Sequence, residues 1–471
     1  MTEFGKRLAI AETPIPGLLI AELPVHGDSR GWFKENWQRE KMVAVGLPDF
    51  GPVQNNVSFN DAVGTTRGIH AEPWDKWVSV ATGRIFGAWV DLREGPTFGT
   101  VFTAEIDPSR AIFVPRGVGN SYQTLEPDTA YTYLVNDHWS PDAAYSFLNL
   151  ADETVAIPWP IPLADVEVST KDHAHPRLGD VAPIPPRKIL IVGAAGQLGL
   201  ALRDEYSGMG HVEFATRAEL DVTDSGFAQA RRWRDYDTIV NAAAYTAVDL
   251  AETPDGRREA WAANVTGVGT LARVAADNDL TLVHVSSDYV FDGTNDRPYR
   301  EDEPVCPLGV YGQTKAAGDA LVATLPRHYI VRTSWVIGAG KNFVRTMADL
   351  AERGVDPSVV DDQVGRLTFT ADIARGIRHL LDSRAEFGIY NLTGSGEPAS
   401  WASIARQVFA LTGHDPERVR GVTTDEYFAG ATGRVSPRPA NSVLDLERIT
   451  AAGFALRPQD EGLREYLSAL D

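Results

Sequence analysis

The chain carries a single cysteine, Cys306, in 471 residues. An intramolecular disulfide and any multi-cysteine zinc site are thereby excluded, and Cys306 reads as a bystander. Positive charge is also short: 44 Lys and Arg stand against 64 Asp and Glu, for a formal net charge of −20. That balance argues against nucleic acid or an anionic membrane as partner. It leaves room for an anionic small ligand, because a local arginine or lysine can invert the field of a pocket. No apolar run is long enough to span a bilayer. The opening MTEFGKRLAIAETPIPG is polar and proline-broken, unlike a signal peptide. The expectation is a cytoplasmic protein without a membrane partner.

What is present divides in two. The length exceeds one ordinary domain, and 43% hydrophobic residues supply more than one core. Before Pro183, runs such as KWVSVATGRIFGAWVDL alternate in short segments broken by Gly, Pro and Asp, the pattern of a β-sandwich or barrel. Seven of the eleven tryptophans fall there. After Pro183, apolar strands alternate with alanine-rich helical patterns, as in a βαβ array. The reading is an all-β domain over 1–180, a proline-rich linker over 181–187 and an α/β domain over 188–471.

The most informative stretch runs from Leu282 to Lys315. LVHVSSDYVFDG begins as a buried parallel strand and ends on Ser286 and Ser287, followed by Asp288 and Tyr289. An open α/β sheet presents its ligand crevice at such a strand end. Downstream, VYGQTK sets Tyr311 and Lys315 four apart, on one face of a helix. A serine, a tyrosine and a lysine so placed suit proton delivery to a carbonyl. The phenol's reference pKa of about 10 then needs a nearby ammonium to tune it. Tyr-x-x-x-Lys alone is a frequent accident, and the glycine loop upstream gives it context. In KILIVGAAGQLGLAL, Gly193, Gly196 and Gly199, with Gln197 and Leu198, link a strand to a helix whose N-terminus would receive a pyrophosphate. The next strand has no acid at its tip. Arg217 could pair with a 2′-phosphate there, which favours NADPH over NADH. Asp221 reads either as an adenine-side contact or as a turn cap. Ala242, Ala243 and Ala244 read either as cofactor lining or as tight packing.

In the first half, DSRGWFKE, QNNVS, TTRGIH, DKWVSV, YTYLVNDHW and STKDHAHP follow one another. A metal-binding barrel would place histidines two apart on converging strands with a carboxylate. Only His70 lies in a central strand. His173 and His175 lie in a proline-ended tail, so no metal site is expected. These stretches resemble the dTDP-4-dehydrorhamnose 3,5-epimerase family over nearly all of 1–180. The resemblance implies a metal-free jelly roll of the cupin kind, usually dimeric. It makes His70 the base and Asp172 its partner, Lys76 the enolate stabiliser, and Tyr133 the acid on the opposite face. Arg67 and Arg30 would hold phosphates, with Glu35, Gln54, Asn56 and Asn120 also at the substrate. Two positions depart from the family pattern: Asn120 stands where a histidine is usual, and Leu134 where a lysine is usual.

The second half resembles dTDP-4-dehydrorhamnose reductase, within the extended short-chain dehydrogenases, over nearly all of 186–471. The glycine spacing, SSDYVFDG and YGQTK carry that resemblance, with VRTSWVIGAGKNF, DDQVGRLTFT and PRPANS beyond them. It implies a Rossmann-type parallel sheet with a smaller substrate lobe. Tyr311 is then the proton donor, Lys315 the ribose binder and Ser287 the carbonyl ligand. Trp335, Asn342, Arg366 and Arg438 would lie in the substrate lobe. It further implies Mg²⁺ stimulation and a homodimer. Together the resemblances imply epimerisation of a dTDP-4-keto-6-deoxy sugar followed by its reduction. The rivals are an active reductase beside a degenerate or single-carbon epimerase, and a chain that keeps both folds as a regulatory scaffold without chemistry.

Overall fold

A computed structural model of the chain describes residues 4–140, 143 and 145–470. It separates into two compact units, 1–186 and 187–471.

The first unit is a pair of antiparallel sheets. One runs in the order β1 (Ala9–Glu12), β2 (Leu19–Glu22), β10 (Arg110–Val114), β7 (Lys76–Thr82), β12 (Thr129–Val135), β5 (Gln54–Asn60). The other runs β13 (Ser146–Phe147), β6 (Thr66–Ala71), β11 (Val118–Thr124), β8 (Ile85–Asp91), β9 (Val101–Ile106). β3 (Val25–Asp28) and β4 (Gly31–Lys34) form a separate, largely exposed hairpin. This is the expected jelly roll. Side chains alternate across each strand, so Val78 and Val80 of one sheet meet Trp89 and Tyr122 of the other in a shared core. Register then dictates the site. Tyr133 lies opposite Asn56 on one side and Val78 on the other. Lys76, Tyr133, Gln54 and Asn56 therefore share the inner face of the first sheet. His70 lies opposite Asn120 on the second sheet, and Arg67 opposite Tyr122.

The stretch 181–187 needs correction as a linker. Ile184 donates to Leu92 O at 2.7 Å and accepts from Glu94 N at 2.8 Å, and Val181 is buried. In Pro-Ile-Pro-Pro, only Ile184 retains an N–H. An extended proline-stiffened segment with one donor is well suited to bridging a strand end, and the first unit extends to Pro186 as a result.

The second unit holds a six-stranded parallel sheet in the order β15 (Val212–Ala215), β14 (Lys188–Val192), β16 (Tyr236–Asn241), β17 (Thr281–Ser287), β18 (His328–Thr333), then Gly388–Asn391. β17 is buried along nearly its whole length, as a two-sided sheet requires. The chain leaves β14 toward β15 and returns to β16 on the other side. The switch point therefore falls between the carboxyl ends of β14 and β16, where ligands bind in open α/β sheets. A second lobe has its own core, built around Val344, Met347, Ile404 and Phe409.

Candidate active sites

In the first unit, one short helix completes the site. Ser169 caps Thr170–His173 by accepting from Asp172 N at 3.1 Å. This turn carries the Asp172 carboxylate inward to His70, with Nε2 and Oδ1 at 2.9 Å. The second carboxylate oxygen accepts from Gly68 N at 3.3 Å. Burial pushes the Asp172 carboxyl up, but the His70 hydrogen bond and charge, with the Gly68 amide, outweigh it and leave it below the ordinary value. Gly68 is required where it stands. Its φ is +125°, and an added Cβ would lie 2.5 Å from Ser121 Cβ.

The facing sheet supplies the other groups. Lys76 is buried and ion-paired with Glu72, and its Nζ lies 5.7 Å from the Tyr133 ring centroid. Burial, then the Glu72 carboxylate, push the Tyr133 phenol up, so it stays protonated at neutral pH. Sequence reasoning missed Glu72. The acid four before Lys76 was visible, but a strand pattern gave no reason to pair them.

The remaining expected residues separate into two groups. Asn120 is anchored by Trp89 Nε1 at 2.9 Å and reaches Tyr131 OH on the facing sheet at 3.0 Å. Arg67 donates to Asn60 Oδ1 at 3.2 Å, and Gln54 to Asn56 Oδ1 at 2.8 Å. Arg30 instead sits at the exposed turn of the β3–β4 hairpin, paired with Asp28. Glu35 is exposed and paired with Lys41. Neither contacts the dyad among the described residues.

His175 was set aside in the sequence as part of a tail. The structure brings it in. Its ring stacks on Phe147 at 4.8 Å and lies 5.4 Å from the His70 ring, and Nε2 is 3.7 Å from Asp172 Oδ1. Burial, then the charge of His70, hold its pKa below the usual histidine value.

In the second unit, Gly193 ends β14 with φ +82°, where an added Cβ would meet Ala243 N at 2.6 Å. Gly196 is the N-cap of the helix Gln197–Glu205 and lends it no side-chain cap. The first-turn amides therefore face the switch point uncapped, and a Cβ on Gly196 would touch only Gly193 O, at 3.4 Å. This cradle fits a dinucleotide pyrophosphate. Leu198 lies in the first turn of the same helix, and Gln197 donates to Lys341 O at 3.3 Å. Ala242 and Ala243 flank Gly193 from β16, and Ala244 is exposed beside them. Arg217 lies two residues beyond β15, exposed and ion-paired with Asp221 at 3.0 Å. Asp221 also accepts from Thr223 N at 2.9 Å, which makes it the turn cap.

Tyr311 and Lys315 lie on the helix Val310–Val322, both buried. Lys315 Nζ donates to Val285 O at 2.7 Å and lies 3.3 Å from His284 Nε2. Burial pulls its pKa down to about 8, against the pull of Asp319. Burial and then the Asp288 carboxyl push the Tyr311 phenol up, with Ser287 working the other way. Ser287 Oγ donates to Asp288 Oδ1 at 2.9 Å, and the Asp288 carboxyl is itself raised by burial to about 6. Tyr289 packs edge-on to Tyr311 at 5.4 Å, and Ser286 is buried beside Ser287. Asn264, in a single π-helical turn, accepts from Tyr245 N at 2.8 Å and donates to Thr314 Oγ1 at 3.0 Å. It ties the loop after β16 to the Tyr311 helix.

The lobe residues are mostly engaged in holding backbone. Asn342 caps Phe343–Glu352 and donates to Gly338 O at 2.8 Å. Arg366 donates to Gly396 O at 2.8 Å and Leu444 O at 3.1 Å. Arg438 forms a two-pronged pair with Asp249, at 2.7 and 2.8 Å. Trp335 stacks on Trp401 at 3.7 Å with φ +46°. Among the described residues, the one group of three or more His, Cys, Asp or Glu side chains close enough to hold an ion is His70, Asp172 and His175, in the first unit.

Comparison with known proteins assigns a family to each unit. A profile described as dTDP-4-dehydrorhamnose 3,5-epimerase matches 12–180, and one described as RmlD substrate binding domain matches 187–471. The protein RmlC homolog of Streptococcus pyogenes serotype M6 is 52% identical over 199 residues, 40% of this chain and 100% of that one. The dTDP-4-dehydrorhamnose reductase of Mycolicibacterium smegmatis is 39% identical over 305 residues, 64% of this chain and 89% of that one. A solved dTDP-4-dehydrorhamnose reductase from Bacillus anthracis, in complex with NADP, superposes with a TM-score of 0.56 at 31% identity. It covers 60% of this chain and 99% of that chain.

Proposed function

Since the chain belongs to the dTDP-4-dehydrorhamnose 3,5-epimerase family in its first unit and to the RmlD substrate-binding-domain family in its second, we propose that it performs two consecutive steps on one sugar. The first unit epimerises dTDP-4-dehydro-6-deoxy-D-glucose at carbons 3 and 5. The second reduces the 4-keto group, giving dTDP-L-rhamnose. The observation that carries this reading is the presence of an acid–base set in each unit: His70 with Asp172 at 2.9 Å, and Tyr311 with Lys315 and Ser287.

In the first step, a proton beside the ketone passes to His70 Nδ1, the ring nitrogen left free when Nε2 donates to Asp172. Asp172 holds the ring and stabilises the imidazolium that forms. Lys76 stabilises the charge that develops on the ketone oxygen. Tyr133, on the facing sheet and kept protonated by burial, returns a proton from the opposite side. In the second step, Ser287 orients the carbonyl and Tyr311 protonates the oxygen as it gains charge. A raised pKa suits an acid that must carry its proton at neutral pH. Lys315 binds the cofactor ribose. Gly193, Gly196 and the first turn of Gln197–Glu205 would hold the pyrophosphate of NADPH and Arg217 its 2′-phosphate, and the bound cofactor would supply the hydride. The protein acts as a homodimer in this reading.

The test follows the purified chain with dTDP-4-dehydro-6-deoxy-D-glucose and NADPH in deuterated water, by NMR and nicotinamide absorbance. Rhamnose product carrying deuterium at carbons 3 and 5 is expected. Deuterium without NADPH oxidation, or oxidation without deuterium, removes one of the two assignments.

A further inference from the structure

We infer that the first unit is also a binding site for a divalent d-block cation of the zinc class, held by His70, Asp172 and His175, and that the bound ion silences His70 as a base. The silencing rests on the epimerase reading above; the binding does not.

The three donor atoms lie within 4.8 Å of one another. His70 Nε2 to Asp172 Oδ1 is 2.9 Å, and His175 Nε2 to the same oxygen is 3.7 Å. A tetrahedral ion with bonds of about 2.0–2.1 Å separates its ligands by roughly 3.3 Å, a value these two distances bracket. Small side-chain rotations therefore suffice.

His175 is the independent pointer. Its side chain is 5% exposed, yet neither ring nitrogen makes a hydrogen bond of ordinary geometry: the Leu148 backbone offers a poorly formed one, and Nε2 stops 3.7 Å from Asp172 Oδ1. Buried polar groups are normally paired, and proton transfer in the proposed reaction has no use for this one. The ring is nonetheless held in place. Phe147 stacks on it, and Asn149 Nδ2 donates to the carbonyls of His173 and His175 at 2.9 and 3.0 Å. The Gly68 amide on Asp172 Oδ2 is the kind of outer contact that orients a ligating carboxylate. His70 is 36% exposed, which gives an aquated ion access.

Two imidazoles are borderline donors, and the one carboxylate is a hard donor that Zn²⁺ also accepts. They select Zn²⁺ and its neighbours over Mg²⁺ or Ca²⁺, which prefer all-oxygen shells. An ion on His70 Nε2 displaces the proton that Nε2 gives to Asp172 and leaves the ring's one proton on Nδ1, so the lone pair that must accept the sugar's proton is lost. Exchange at the ring then stops, while the second unit, which shares none of these ligands, continues to reduce.

The experiment titrates the full chain with Co²⁺ as a spectroscopic probe, then with Zn²⁺. The expected result is one equivalent of Co²⁺ giving the visible absorption of a four-coordinate ion, displaced by Zn²⁺ and lost in His175→Asn. His175→Gln repeats the test should the first variant fail to fold. Affinity should fall by at least about 100-fold, the upper end of what losing even an outer partner costs. In parallel, Zn²⁺ should stop deuterium exchange into the sugar, reversibly with a chelator, while NADPH oxidation on a supplied epimerised ketone persists. No four-coordinate band, or the same band in both variants, overturns the site. A band with undiminished exchange overturns the silencing. A band in a chain that shows no exchange even without metal supports the site and sinks the epimerase reading instead.

Discussion

Asn241 and His284 lie opposite each other on the parallel strands β16 and β17, joined through Nδ2 and Nδ1 at 3.1 Å. Asn241 Oδ1 accepts from Ala243 N at 3.2 Å, so its amide nitrogen is the atom that faces the ring. Burial, then the charge of Lys315, hold the His284 ring neutral, its pKa well below the ordinary histidine value. Its Nε2 lies 3.8 Å from Asp319 and 3.3 Å from Lys315 Nζ. Among the described residues no carboxylate pairs directly with Lys315, so burial outweighs the more distant charge of Asp319 and its pKa falls to about 8.

Lys315 keeps its charge below about pH 8 and loses it above. If the ammonium is needed for reduction, kcat/KM for a supplied epimerised ketone should fall as pH rises through that value. Lys315→Arg, which cannot deprotonate in this range, should retain part of the rate with the alkaline limb displaced upward. A limb at the same pH in the variant would assign it to another group.

The two chemistries separate by single substitutions. His70→Ala should slow deuterium exchange by about 10²–10⁴-fold and leave reduction of the epimerised ketone intact. Tyr311→Phe should do the reverse. A variant that keeps the activity assigned to its own unit shows that the residue is not the acid or base.

Asp172 also makes the first unit acid-sensitive. Its folded pKa lies below the ordinary 3.8, so the unfolded chain binds its proton first. Its contribution to stability is complete above the unfolded pKa and is lost as pH falls through the folded one. Between about pH 5 and pH 2, the unfolding transition of the first unit should weaken more in the native chain than in Asp172→Asn. Parallel pH curves for the two proteins would remove Asp172 from the acid response.

Much of this was legible because local spacing carried it. Tyr311 and Lys315 are one turn apart, and Gly193 to Gly199 link a strand to a helix. Each pairing is decided within a few residues. His175 was illegible for the opposite reason. Its neighbours His70 and Phe147 are reached only after β6, β13 and the Ser169 turn converge, and a tail ending in proline gave no hint of burial. Glu72 escaped because i and i+4 face each other on a helix, whereas here a turn before β7 brings them together. Asn342 could have been read differently, since an asparagine opening an apolar helical run is a cap signal. The proline segment misled because prolines suggest a spacer, while the one N–H among them pairs with Leu92.

Gly68 joins backbone geometry to catalysis, which makes it the sharpest test of how the first site is built. Its φ of +125° suits glycine alone, and any Cβ would lie 2.5 Å from Ser121 Cβ and 2.8 Å from Ser121 Cα. β11 cannot yield there without disturbing Asn120, which lies opposite His70. The Gly68 amide is also a partner of Asp172. Gly68→Ala should therefore cost at least about 2 kcal/mol of first-unit stability, from strain and overlap together. It should also lower deuterium exchange beyond what lost folded protein explains, because the dyad loses its anchor. NADPH oxidation by the second unit should be unchanged. Thermal unfolding and exchange rate per folded molecule, measured on the same sample, separate the two effects. An unperturbed rate in a destabilised variant would mean that Asp172 holds its place without the Gly68 amide.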